Sequence, residues 1–171
     1  PAHREADVVL RDGSTVHVRP VRPEDEPAIR TFYEGLSAEA RKLRFFGEAV
    51  DLAKAAQEDA SVDYRDDFTL IAEAGPTHRI VGVATYRKLD GDRAEVALAV
   101  ADDYQGRGLG TILVGQLAEI ADANGIRVFV AWVLPENYRM IQVFRDLGVP
   151  VEIRTGISEI AVTFPTSLTP E

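Results

Sequence analysis

Cysteine is missing from this 171-residue sequence, and its absence removes several kinds of chemistry. Without thiols the chain forms no disulfides, has no cysteine nucleophile and builds no thiolate metal site, which suits a reducing compartment. No apolar run approaches the ~20 residues that a membrane-spanning helix needs, and no signal-peptide pattern opens the chain. These features predict a soluble, cytoplasmic protein with no membrane partner.

Positive charge is also scarce, since 19 Lys and Arg residues stand against 28 Asp and Glu residues, for a net charge of -9. Nucleic-acid binding requires the opposite sign, so no nucleic-acid partner is expected. His17 and His78 have no metal-spaced neighbours, and no metal site is expected. The acidic excess is dense between Glu48 and Asp67, which is either a solvated helical face or a docking surface for a basic substrate.

Length and composition predict one domain. Hydrophobic residues make up 46% and charged residues 27% of the chain, as in ordinary globular proteins, and the length suits a single core. We expect one domain over residues 1–171, with its core at about 15–164. The first residue is proline, which suggests a domain excised from a longer multidomain protein.

The hydrophobic pattern predicts an α/β fold with a mixed central sheet. A hairpin at Asp12-Gly13 and three helical segments come first. Strands at 68–74, 80–87 and 93–100 then predict an antiparallel meander. The helix from Leu109 and the strand at 128–134 complete a parallel, right-handed βαβ crossover. A short helix from Asn137 and two last strands follow.

The turn Gln105–Gly110, which reads QGRGLG, joins the central strand to the helix after it. Its glycines allow close backbone approach, and the helix N-terminus presents unpaired N–H groups, so the turn predicts an anion site. It lacks the Gly-Lys-Ser/Thr of a Walker A loop and the glycine spacing of a Rossmann fingerprint. We therefore predict a site for the phosphates of an acyl carrier.

These residues resemble the GNAT superfamily of N-acyltransferases. Gln105, Gly108 and Gly110 fit its Gln/Arg-x-x-Gly-x-Gly/Ala hallmark, and the later Asn137-x-x-Met140-Ile141 follows the family order. The resemblance implies the GNAT fold and acetyl-CoA as cosubstrate, with strand backbone on the pantetheine arm and turn amides on the pyrophosphate. Asn137 either bonds the pantetheine arm or caps its own helix. The implied cofactor-binding residues are Leu98, Ala99, Val100, Gln105, Gly106, Arg107, Gly108, Leu109, Gly110, Thr111 and Asn137.

Three further segments are similar to bacterial protein lysine acetyltransferases: Val18–Asp25, which reads VRPVRPED, Phe32–Ser37, which reads FYEGLS, and Leu43–Gly47, which reads LRFFG. This resemblance implies a protein substrate, namely the active-site lysine of an AMP-forming acyl-CoA synthetase. The alternatives are a small-molecule amine N-acetyltransferase and a non-catalytic acyl-CoA sensor.

Acetyl transfer to lysine needs a neutral amine, whereas free lysine has a pKa of about 10.4. Alternation places Glu95 beside the small Ala97 and Ala99 on one face of the central strand, and the resemblance to the lysine acetyltransferases implies that Glu95 is the general base. It is otherwise half of a buried ion pair. Many family members use a tyrosine to protonate the leaving thiolate, but Phe144 stands at that position, which leaves water, Tyr138 or no acid. Direct transfer is expected, because the chain lacks cysteine and a serine triad.

Overall fold

A computed structural model describes residues 4–46 and 50–167. Its strands are β1 (Ala6–Val9), β2 (Thr15–Pro20), β3 (Asp67–Ala74), β4 (Arg79–Asp90), β5 (Arg93–Val100), β6 (Val128–Val133), β7 (Glu152–Thr155) and β8 (Ile160–Pro165). Its α-helices are α1 (Glu26–Gly35), α2 (Ala38–Phe45), α3 (Leu52–Ala60), α4 (Leu109–Ala123) and α5 (Tyr138–Arg145). Short 3₁₀ turns lie at Pro23–Asp25 and Asp102–Tyr104.

The eight strands form one mixed sheet in the order β1-β2-β3-β4-β5-β6-β8-β7. Strands β1 to β5 pair antiparallel in chain order, and β5 pairs with β6 in parallel. The fold class predicted from the pattern, a mixed α/β sheet with an antiparallel meander and a parallel crossover, is confirmed. The last two strands add one feature: β8 lies between β6 and β7 and pairs antiparallel with both.

Helix α4 packs against one face of the sheet, and alternation along β4 shows which face. A Cβ placed on Gly82 would lie 2.8 Å from Leu113 of α4. Two residues apart on a strand point to the same face, so Gly82 and its cross-strand partner Val100 define the α4 face. Arg87 of β4 points to the opposite face, where it meets Asp59 of α3 at 2.9 Å. Helices α1 and α3 pack together on that second face.

Local signals explain where two helices begin. The hydroxyl of Ser37 accepts from the N–H of Ala40 at 3.0 Å, and the carboxylate of Asp51 accepts from the N–H of Lys54 at 3.2 Å. Both are N-cap bonds that satisfy otherwise unpaired donors. Helix α2 ends at Phe46, which adopts a left-handed φ of 62°. Gly47 and Glu48 lie outside the described residues.

The segment 18–25 is held by a buried ion-pair network. Arg19 is 6% exposed, and its guanidinium donates two 2.8 Å hydrogen bonds to the Asp25 carboxylate. It also donates to Glu73 at 3.0 Å, and the N–H of Arg22 adds a 2.6 Å bond to Asp25. Burial alone would raise the pKa of Asp25, but the bonds from Arg19 and Arg22 hold that pKa below its ordinary value. This network ties β2, β3 and the start of α1 together.

The sheet opens between its two central strands. Strand β5 pairs with β6 only over Arg93–Glu95 and Val128–Val130, although β5 continues to Val100 and β6 to Val133. Within the described ranges, β5 beyond Glu95 has no ladder partner on its β6 side. The opening therefore leaves strand backbone free to bond something other than protein.

None of the helices in the described part of the chain has both the length and the apolar character of a membrane span. No group of three or more His, Cys, Asp or Glu side chains in residues 4–46 and 50–167 is arranged to hold a metal ion.

Candidate active site

The glycine turn follows the open end of β5. Gly106 and Gly108 have φ values of 78° and 88°, a left-handed conformation that side chains disfavour. Gly108 is the N-cap of α4, so the first amides of this 15-residue helix face outward without intrahelical partners. The turn is thus built as an anion site, with the positive end of the helix dipole behind it.

The β1–β2 hairpin braces this turn. The N–H of Arg11 donates to the carbonyl of Arg107 at 3.1 Å, and the Arg107 guanidinium lies 3.1 Å from the Asp12 carboxylate. Arg107 also stacks on the Tyr104 ring, with its guanidinium carbon 4.5 Å from the ring centre. Its side chain is therefore engaged by the protein and does not line the neighbouring cavity, so its predicted contact with phosphate remains a prediction.

A cavity of about 300 Å³ lies between the turn, α2 and α5. We call it the loop cavity. It is bordered by the predicted residues Leu98, Ala99, Val100, Gln105, Gly106, Gly108, Leu109, Gly110, Thr111 and Asn137. The structure thus brings together every predicted cofactor-binding residue except the side chain of Arg107.

Two arginines that the sequence reasoning missed also border the loop cavity. Arg11 lies over Gly108, where an added Cβ would come within 3.1 Å of its Nε, and it faces Asp146 at 3.6 Å. Arg139 of α5 contacts the side-chain oxygen of Gln105. Both reach the turn from distant parts of the chain. The closeness of Arg139 to the Asn137 motif was the one available signal.

Gly110 has a role different from that expected of a ligand-facing glycine. A Cβ there would lie 3.0 Å from Leu98 of β5 and 3.1 Å from Val143 of α5. Gly110 therefore lets α4 pack closely against a strand and a helix.

Asn137 has one of the two roles left open by the sequence, and its position is compatible with the other. Its side-chain oxygen accepts from the N–H of Met140 at 3.2 Å, which caps α5. Asn137 is also 7% exposed and borders the loop cavity. The capping role is therefore observed, and the bond to a pantetheine arm remains a prediction.

Glu95 lies on the opposite face of β5 from Leu98, as alternation requires, and on the same face as Ala97. It borders a second cavity, of about 340 Å³, between α3 and the strands, which we call the α3 cavity. Its cross-strand neighbour is Arg87, but Arg87 pairs with Asp59 at 2.9 Å and Glu58 at 3.6 Å. Among the residues that the structure describes, Glu95 forms no ion pair. The ion-pair alternative for Glu95 is therefore not what the fold contains.

The α3 cavity has a polar floor. Asp59 is 2% exposed and accepts a 2.5 Å hydrogen bond from the Tyr33 hydroxyl. Burial, reinforced by the Asp59 charge, raises the pKa of Tyr33, so this phenol stays protonated. The buried hydroxyl of Thr85 borders the same cavity and has no protein partner among the described residues. The cavity thus offers oxygen atoms for a polar, hydrogen-bonding guest.

A third, small cavity of about 40 Å³ lies at the opening of the sheet, between β5 and β6. We call it the connecting cavity. It shares Leu98, Asn137 and Met140 with the loop cavity, and Glu95 and Ala97 with the α3 cavity. The three cavities therefore adjoin one another between the glycine turn and Glu95.

Neither Phe144, which stands at the family's tyrosine position, nor the nearby Tyr138 is placed to protonate the leaving thiolate. Phe144 borders the connecting cavity but is 1% exposed and packs on Phe164 with ring centres 5.0 Å apart. Tyr138 is 77% exposed and borders none of the three cavities. Tyr138 is therefore a surface residue here.

Together the open sheet, the glycine turn at a helix N-terminus and the carboxylate on the central strand define an acyl-transfer site. The model of the acetyltransferase (GNAT) family matches residues 27–149. The chain belongs to this family, and it is a GNAT-type acetyltransferase.

Three relatives narrow the comparison. The GNAT domain of S. lividans PAT has 36% identity and a TM-score of 0.88, over 96% of this chain and 98% of that one. Acetyltransferase Pat of Mycolicibacterium smegmatis is 32% identical over 143 residues, which are 82% of this chain and 43% of Pat. An L-methionine sulfoximine/L-methionine sulfone acetyltransferase of Pseudomonas aeruginosa is 33% identical over 89 residues, which are 49% of this chain and 52% of that protein. The chain spans 43 to 66% of the lengths of the curated relatives it matches.

Proposed function

We propose that this chain is an acetyl-CoA-dependent protein lysine N-acetyltransferase of the cytoplasm. It transfers acetyl directly to a lysine ε-amine, with Glu95 as general base. Its protein substrate is an AMP-forming acyl-CoA synthetase. The similarity to Pat and to the S. lividans PAT domain supports this acceptor over others.

The coenzyme half of the proposal rests on the loop cavity. The amides of Gly106 to Thr111 bind the pyrophosphate, where a helix N-terminus favours negative charge. The backbone of Leu98 to Val100 has no strand partner on its β6 side among the described residues, and it bonds the amides of the pantetheine arm. The Val100 carbonyl, which accepts a 3.4 Å bond from the Gln105 side chain, exchanges that bond for the ligand. An acidic protein needs such local donors to hold an acidic cofactor.

The acceptor half rests on the α3 cavity, whose acidic members attract an ammonium ion. Glu95 takes one proton from the lysine, and the neutral amine then attacks the thioester carbonyl carbon. The C–S bond breaks as the C–N bond forms, the electron pair leaves on sulfur, and the second amine proton passes to solvent. The products are the acetylated lysine and coenzyme A.

One observation carries the proposal: Glu95 stands without an ion-pair partner among the described residues, on the wall shared by the α3 and connecting cavities. A carboxylate there is reached by an acceptor from one side and by a thioester from the other. Geometry of this kind is the first requirement for a general base.

Glu95→Gln tests the assignment. We expect turnover with acetyl-CoA and a purified acyl-CoA synthetase to fall ~10²-fold or more, with acetyl-CoA affinity by calorimetry unchanged. Glu119→Gln is the matched control, because it removes an exposed carboxylate of α4 that borders none of the three cavities and should leave turnover unchanged. Near-normal turnover of Glu95→Gln would contradict the assignment of Glu95 as the general base.

The similarity to the methionine sulfoximine/sulfone acetyltransferase supports a second candidate, a small-molecule amine as acceptor. Labelled acetyl-CoA incubated with the protein and an acyl-CoA synthetase separates the two. Label on a synthetase lysine, located by mass spectrometry, supports the first proposal. Label confined to small amines from a cell extract supports the second.

A further inference from the structure

The structure provides no tyrosine for the leaving sulfur at the position where the family resemblance placed one. Phe144 is buried against Phe164 and has no proton to donate, and Tyr138 points to solvent. The reaction still has to accommodate negative charge on sulfur when the C–S bond breaks. Either a proton or a fixed positive charge can meet that need.

Arg44 is the described residue best placed to supply a positive charge. It lies near the end of α2, and among the described residues only Arg44 borders all three cavities. A thioester that extends from the loop cavity toward Glu95 must therefore pass beside it. Its guanidinium carbon lies 4.7 Å from the centre of the Phe45 ring, which holds the charge close to an apolar surface.

Three other arginines around the three cavities already face partners. Arg11 faces Asp146 at 3.6 Å, Arg139 contacts Gln105, and Arg87 is paired with Asp59 and Glu58. Within residues 4–46 and 50–167, Arg44 forms no ion pair, and its guanidinium contacts the neutral Tyr33 hydroxyl and the Phe45 ring. The remaining charged groups that border the α3 cavity are Asp51, Lys54 and Glu95.

The connecting cavity has fewer charged residues in its walls than the α3 cavity. Glu95 and Arg44 are its only charged members among the described residues, and its other walls are apolar apart from Asn137. Electrostatic interactions strengthen where apolar walls exclude water. A thiolate formed in this cavity would meet one cation and one carboxylate, and the carboxylate is neutralised when it takes the amine proton.

We propose that the Arg44 guanidinium stabilises the coenzyme A thiolate as the C–S bond breaks, in place of a proton donor. The inference rests on the proposed acetyl-CoA-dependent function. Arg44 does not itself give up a proton, because a guanidinium stays protonated in proteins. The electron pair of the C–S bond leaves on sulfur, the thiolate pairs with Arg44, and solvent protonates it as coenzyme A departs.

The ionisation of bound coenzyme A tests this role without any acceptor. Thiolate absorbance in the ultraviolet reports the pKa of the coenzyme thiol, and a protein without cysteine contributes no thiolate of its own. Desulfo-coenzyme A bound to the same protein provides the reference that removes tyrosine ionisation. We expect the bound thiol to have a pKa about one unit or more below that of free coenzyme A.

Arg44→Gln should return the pKa of the bound thiol to that of free coenzyme A, and Arg44→Lys should keep it low. Arg41→Gln, one turn earlier on α2 and outside the three cavities, is the matched control and should change nothing. In turnover, Arg44→Gln should lower kcat about 10- to 100-fold with acetyl-CoA affinity unchanged, and Arg44→Lys should restore most of it.

The outcomes separate this inference from the function on which it rests. If wild-type protein binds coenzyme A and the thiol pKa equals the free value, the role of Arg44 is overturned and the proposed function is untouched. If wild-type protein does not bind coenzyme A or acetyl-CoA, the proposed function itself fails. The wild-type measurement decides both points even if Arg44→Gln does not fold.

Discussion

The segments 18–25 and 43–46 each carry an arginine within a pattern shared with protein lysine acetyltransferases, but the structure uses the two arginines in opposite ways. Arg19 is 6% exposed and bonds two carboxylates and a carbonyl. Arg44 is half-buried, stacks on Phe45 and borders three cavities without a described ion-pair partner.

The difference teaches that an arginine in a shared motif can serve the fold or the site, and its partners show which. A buried guanidinium with every donor engaged has no capacity left for a ligand. One that is held by an aromatic ring and a single neutral hydroxyl, as Arg44 is by Phe45 and Tyr33, keeps other donors for a guest. Substitutions in the first segment should therefore change stability, and substitutions in the second should change turnover.

The largest effect is expected from Asp25→Asn. It removes the negative charge that accepts two hydrogen bonds from the Arg19 guanidinium and one from the Arg22 amide, and it leaves Glu73 as the remaining carboxylate partner of Arg19. Weakening buried hydrogen bonds to a charged group in this way costs about 1.5–3 kcal/mol of the free energy of unfolding. Urea denaturation measures the loss. Unaltered stability would mean that the first segment is not primarily structural.

The difference in stability between wild type and Asp25→Asn should depend on pH and should shrink in acid. The pKa of Asp25 is lowered in the folded protein, so its contribution to stability is present above the unfolded pKa of about 3.9. It is lost as pH falls through the folded pKa, because protonation then opposes the Arg19 pair. Melting curves of wild type and Asp25→Asn should therefore converge below about pH 4. A gap that persists unchanged in acid would contradict the assignment.

The smallest effect is expected from Arg44→Gln on stability. The substitution removes one cation–π contact at a half-exposed site, worth about 0.5–1 kcal/mol, and breaks no ion pair with a described residue. Its unfolding midpoint should stay close to that of wild type while its kcat falls. A loss of stability comparable to that of Asp25→Asn would erase the contrast between the two segments.

Local sequence patterns predicted most of the elements that build the site. The period of the apolar residues, the turn at Asp12-Gly13 and the glycine turn at 105–110 are short-range signals, and the structure has an element at each. The face of Glu95 followed from alternation alone. These features depend on neighbours along the chain, which a single sequence displays.

The contacts that set the chemistry depend on residues far apart in sequence. Arg11 reaches the glycine turn from the first hairpin, and Asp12 draws Arg107 away from the cavity. The early end of the β5–β6 ladder and the engagement of Arg87 by Asp59 are likewise set by packing. No periodicity reports such contacts, so the partners of each charge had to come from the structure.

The opening between β5 and β6 also bears on whether the protein aggregates when no ligand is bound. A strand edge with unpaired backbone is normally a template on which another chain adds and aggregation begins. Here Leu43 of α2 and Met140 of α5 border both the loop and connecting cavities beside that edge. The gap therefore admits a thin, linear molecule but shields the edge from a second strand, whose side chains would need far more room.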